Sequence, residues 1–125
     1  MQLFVLTNAT PVLSLFRPAH GAIQLAFSLK EKRYGVLIQT QENENVTAVL
    51  AGTVVHVNYE IDNTYTIMVQ HANYLSVYKN MTKTLKAVGD KVQAGETLAI
   101  MGELPLWFEL WQDGQPVNPE EVIAF

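Results

Sequence analysis

The sequence has 125 residues, a formal net charge of −4 and no cysteine, which excludes a disulfide framework, thiolate zinc sites and a cysteine nucleophile. Its acidic balance also lacks the clustered Lys and Arg that give nucleic-acid binders their electrostatic footprint. With 49% hydrophobic and 16% charged residues, the chain reads as one globular domain over 1–125 and not as a disordered segment.

The opening MQLFVLTNATPVLSLF is apolar but is interrupted by Thr7, Asn8, Thr10 and Pro11. It has no basic leading region and is too short to span a bilayer. It is predicted as an ordered strand or two, and neither a signal peptide nor a transmembrane segment is expected. Alternating or compact apolar runs then predict strands at 35–39, 46–50, 53–57, 65–70, 74–78, 97–101 and 106–111, separated by Gly, Asn and Asp turn chemistry. Residues 58–63 are predicted as a polar connection, and Asp113-Gly114 supplies the positive φ angles of a tight hairpin.

Lys79, Lys83, Lys86 and Lys91 form one basic cluster, expected as a solvated edge that discourages strand pairing. At the C-terminal end Asn118 can cap backbone N–H groups, Pro119 suits a first helical position, and Glu120 and Glu121 complement the positive end of a short helix, NPEEVI. No repeat, low-complexity tract or linker interrupts the pattern. The fold class is therefore all-β, a sandwich or partly open barrel with a short C-terminal helix.

The ordered stretches FRPAHGAI, KRYGVLI, VTAVLAGTVV, VQHANYLSVYKN, VGDKVQAGETLAIMG and WFELWQDGQPVNPEEVI carry a resemblance to the LytM or lysostaphin-type zinc endopeptidases and their catalytically degenerate, EnvC-like members. Active members of that family resemble one another in a His-x-x-x-Asp metal motif, a Tyr-x-His segment and a His-x-His strand followed by Phe-Glu. The resemblance places Arg33 and Leu37 at two metal ligands, Asn80 and Pro105 at two catalytic histidines, and Trp107 at the last ligand. Arg offers only donors, Leu has no donor atom, and an indole N–H cannot ligate, whereas a catalytic zinc needs lone pairs and an open position for water. Zinc lowers the pKa of bound water from about 15.7 to about 7, and nine units of pKa correspond to about 12 kcal/mol. Nothing at these positions replaces that contribution, so the resemblance implies a pseudo-peptidase that uses no cofactor.

His20, His56 and His71 are the three histidines, and no His-x-His or His-x-x-x-His spacing gathers them. Each is expected in a structural or surface role. Arg33, Tyr34, Tyr78, Asn80, Trp107 and Glu109 are the candidate binding residues of the former substrate groove, with Arg33 suited to a partner carboxylate and Trp107 to large-area contact. Alternation puts Trp107, Glu109 and Trp111 on one face of their strand.

The resemblance implies a non-catalytic module that binds a cell-wall amidase, a peptidoglycan peptide or an envelope partner, with activation of a murein amidase as one concrete mechanism. Location in the bacterial cell envelope or periplasm follows from the resemblance alone. A scaffold with a sealed groove is the alternative reading. An active zinc endopeptidase is disfavoured by the missing ligands. A biotinyl or lipoyl-like carrier is disfavoured because Ile100-Met101-Gly102-Glu103 lacks the lysine that such a hairpin tip requires.

Overall fold

The computed structural model describes residues 15–125, and the strands expected in residues 1–14 lie outside that range. The described elements are β1 (Ala22–Leu25), β2 (Val36–Gln39), β3 (Asn45–Thr47), β4 (Gly52–Tyr59), β5 (Tyr65–His71), β6 (Tyr74–Thr84), β7 (Lys91–Val92), β8 (Thr97–Met101), β9 (Leu106–Gln112) and β10 (Gln115–Val117). They form one open sheet in the order β1-β2-β9-β6-β5-β4-β7, with β10 added to β9 and β3 joined through β8 to β6. All pairings between these strands are antiparallel. The expected all-β class is the observed one.

β6 organises the sheet because it serves two neighbours along one edge while β5 pairs along the other. Tyr74 to Lys79 pair with β9, and Met81 to Thr84 pair with β8. Asn80 sits between the two sets with φ of 80°, so the chain changes partner at a residue type that tolerates the left-handed region. The segment after β3 then folds over the sheet, where the Val49 amide donates to the Tyr78 hydroxyl at 3.2 Å.

The inward face carries Val36, Ile38, Ile67, Val69, Tyr78, Leu106, Phe108 and Leu110, all at zero exposure. Phe108 stacks against Tyr78 with ring centroids 5.3 Å apart. Burying a side chain of that size contributes about 1.5–3 kcal/mol.

Turn chemistry sets the hairpins. Asp113 and Gly114 both have positive φ, 51° and 79°, the type I′ geometry whose twist matches the flanking strands, and Gln112 pairs with Gln115 across them. The polar connection is narrower than 58–63, because Asn58 and Tyr59 continue β4 opposite Thr66 and Tyr65. Glu60 to Thr64 make the turn, closed by the Glu60 amide donating to the Thr64 carbonyl at 2.7 Å. The expected C-terminal helix is a single 3-10 turn, Pro119–Glu121, capped by Asn118 Oδ1 accepting from the Glu120 amide. Among the described residues no helix is long and apolar enough to cross a membrane.

Candidate functional site

Register brings the sequence-predicted positions together at the centre of the outward face. Leu37 on β2 is the direct cross-strand partner of Trp107 on β9, and Lys79 on β6 is its partner on the other side. The positions assigned to the two catalytic histidines also meet, since Asn80 Nδ2 donates to the Pro105 carbonyl at 2.9 Å. Arg33 is tied elsewhere. Its Nε donates to the Ala26 carbonyl at 2.7 Å, across the short Ser28–Arg33 bridge.

Tyr78 is corrected as a groove residue. It is fully buried, because its register partner is the core residue Phe108 and not an outward side chain. Its hydroxyl belongs to an internal polar chain. His71 Nδ1 lies 2.9 Å from the Ala51 carbonyl, His71 Nε2 2.7 Å from Ser76 Oγ, and Ser76 Oγ 2.9 Å from the Tyr78 hydroxyl. Burial holds the His71 pKa below the usual 6.5, opposed by the bond to the Ala51 backbone, and it pushes Tyr78 up to about 12. A neutral His71 must protonate Nδ1 to donate to Ala51, so Nε2 accepts from Ser76 and Ser76 in turn accepts from Tyr78. His71 therefore has a structural role, and His20 and His56 are exposed.

The outward face of β9 carries an arrangement that the candidate set contained only in part. Trp107 Nε1 donates to Glu109 Oε2 at 2.7 Å, and Trp111 Nε1 donates to Glu109 Oε1 at 2.8 Å. One carboxylate thus holds both indoles. The Trp107 ring lies against Gly35, the residue before β2, where a Cβ would sit 2.6 Å from the Phe108 carbonyl oxygen, 2.7 Å from Trp107 Cζ2 and 2.9 Å from Glu109 Cγ, so the close approach of strand and ring requires glycine there. Tyr34, 38% exposed, continues the surface with its ring 6.4 Å from that of Trp111. Trp111 and Leu75, its register partner on β6, are the members that the candidate set lacked. The Trp-x-Glu-x-Trp alternation was the signal for Trp111.

Residues 31–119, more than half of the chain, match peptidase family M23. The chain belongs to that family. The murein hydrolase activator EnvC of Escherichia coli (strain K12) is 29% identical over 93 residues, which cover 69% of this chain and 22% of that protein. This M23 chain therefore spans less than a quarter of that relative's length. Among solved structures, Csd3 of Helicobacter pylori superposes with a TM-score of 0.81 at 20% identity over 90% of this chain and 34% of its own. A chain of the SpoIIQ–SpoIIIAH pore forming complex superposes with a TM-score of 0.78 at 19% identity, covering 90% and 92% of the two chains. At such identities the likeness establishes a shared fold.

The zinc that the family resemblance implies does not fit the side chains at the positions that the motif resemblance assigns to it. Leu37 presents hydrocarbon, the Trp107 N–H is directed at Glu109, and Arg33 is a permanent cation. Among the described residues no group of three or more His, Asp or Glu side chains could hold a metal ion.

Proposed function

We propose that this M23 module is a pseudo-peptidase that binds a cell-wall hydrolase or a peptidoglycan peptide at the outward face of β2, β9 and β6. The observation that carries this reading is the Leu37–Trp107 cross-strand pair, which puts hydrocarbon and an indole where the resemblance calls for two zinc ligands. Without lone pairs at those positions no bound water is activated, and what remains is a half-exposed aromatic and acidic surface.

The likeness to a murein hydrolase activator supports a finer statement: the surface captures a segment of a murein amidase, in the cell envelope, and so favours the amidase's active state. Such capture shifts an equilibrium only through tighter binding to that state. Purified protein added to a murein amidase and labelled peptidoglycan tests this. Stimulated release of label, with none released by the protein alone, is expected. Zinc-dependent cleavage by the protein alone contradicts the proposal.

A scaffold role is the second reading, favoured by exposed Val55, Tyr59 and Ile61 along β4 and the turn after it, and by the likeness to a chain found in a pore forming complex. A protein that leaves every amidase unchanged and self-associates through β4 would favour this reading.

A further inference from the structure

Both tryptophans of the chain flank Glu109 on one face of β9. Each indole has committed its single donor to the Glu109 carboxylate, so the ring face is what remains for a ligand. The quadrupole of that face attracts cations. Two neutral donors do not discharge the carboxylate, and each oxygen retains a lone pair. Among the described residues the one ion pair is Lys86–Glu96, so Glu109 has no cation of its own.

The two ends of the clamp have different surroundings. Lys79 is the register partner of Trp107 and occupies that side. At the Trp111 end a hollow of about 350 Å³ opens, lined by Leu75, Trp111, Gln70, Asn73 and Asp113. Leu75 and the indole supply an apolar floor, and Asp113 adds a second carboxylate at the rim. An apolar floor beneath an aromatic face with acidic groups beside it suits a side chain that has an aliphatic stem and a cationic head. A planar guanidinium meets these features best, since it stacks on an indole and bonds a carboxylate through two N–H groups.

We propose that the Trp107–Glu109–Trp111 clamp and its adjoining hollow receive an arginine side chain from a basic peptide segment of a partner protein, lysine binding there more weakly. This rests on the proposed binding role and deepens it by naming the partner's chemistry. It adds an anionic anchor on the outward face to the cation that Arg33 supplies, whose Nε donates to the Ala26 carbonyl.

Tryptophan emission reports on the site directly, as both emitters lie in it. The probe is acetyl-Leu-Arg-Leu-amide, titrated into the whole chain against the same peptide with citrulline, which keeps the shape and removes the charge. A saturable emission change is expected, about tenfold weaker with citrulline, the size of effect a desolvated cation–aromatic contact gives. Glu109→Gln should reduce the preference for arginine more than any other single change in the hollow. Asp113→Asn, which keeps a residue tolerant of positive φ at the turn, should weaken arginine binding about threefold on electrostatic grounds and serves should Glu109→Gln unfold. Equal affinity for the two peptides, or no saturable response to either, overturns the proposal. So does binding of an amine-bearing peptidoglycan stem peptide where the arginine peptide fails. Amidase stimulation that persists in a chain indifferent to arginine would sink this inference alone, whereas peptidase activity of the chain would sink the pseudo-peptidase role beneath it.

Discussion

The two faces of the β6–β9 pair carry two polar networks that end differently. On the inner face the chain from the Val49 amide through Tyr78, Ser76 and His71 to the Ala51 carbonyl is closed, with each proton assigned to a partner. On the outer face Glu109 accepts from two indoles and still holds charge and lone pairs. Closed networks secure a fold, since a buried group left without its partner costs more than the bond itself contributed. Open ones are available to a ligand. The same strands therefore perform both tasks, and alternation along β9 separates them.

Breaking the inner face should have the largest effect on stability. Phe108→Ala empties a fully buried ring site and is expected to cost about 3–5 kcal/mol by denaturant unfolding, whereas the half-buried Trp111→Ala should cost less than about 2 kcal/mol. Similar losses for the two would deny that the faces divide stability from binding. Tyr78→Phe is a finer cut. It leaves the Val49 amide without an acceptor and takes from Ser76 Oγ its Tyr78 donor, and should cost about 1–3 kcal/mol, with little change in tryptophan emission.

The smallest expected effect is the pH dependence of His71. Burial lowers its folded pKa below 6.5, so folding favours the neutral ring. The stabilisation is complete above about pH 6.5 and is lost as pH falls from there through the lowered folded pKa. Chemical unfolding at pH 7.5 and pH 5.5, compared with His71→Gln, isolates the contribution of this ring from that of the carboxylates. A wild-type stability that tracks the variant at both pH values would contradict the neutral, proton-ordered chain.

Much of the sheet was legible because its central strands are apolar on at least one face and are bounded by turn residues whose chemistry is specific. The Asp113-Gly114 hairpin and the Asn118 cap follow from side-chain and φ preferences alone. Strands defined by pairing were not legible. β7 has two residues, β10 includes a proline, and the far half of β6, Met81 to Thr84, is mostly polar and becomes strand because β8 lies beside it. The lysine cluster likewise dissolves in three dimensions, with Lys86 paired to Glu96 and Lys79 set beside Trp107. Motif position alone put Tyr78 in the groove, whereas its register opposite Phe108 puts it in the core. Nor does a sequence show that the turn before β2 brings the Ala26 carbonyl within reach of Arg33 Nε.

The loss of the metal centre is tested best by a zinc titration of the whole chain, followed by calorimetry and by the emission of Trp107 and Trp111 together. Neither a saturable heat nor an emission change is expected, because Leu37 and Trp107 offer the ion nothing. Stoichiometric zinc binding that alters the emission of those tryptophans would contradict this and restore a metal centre to this face.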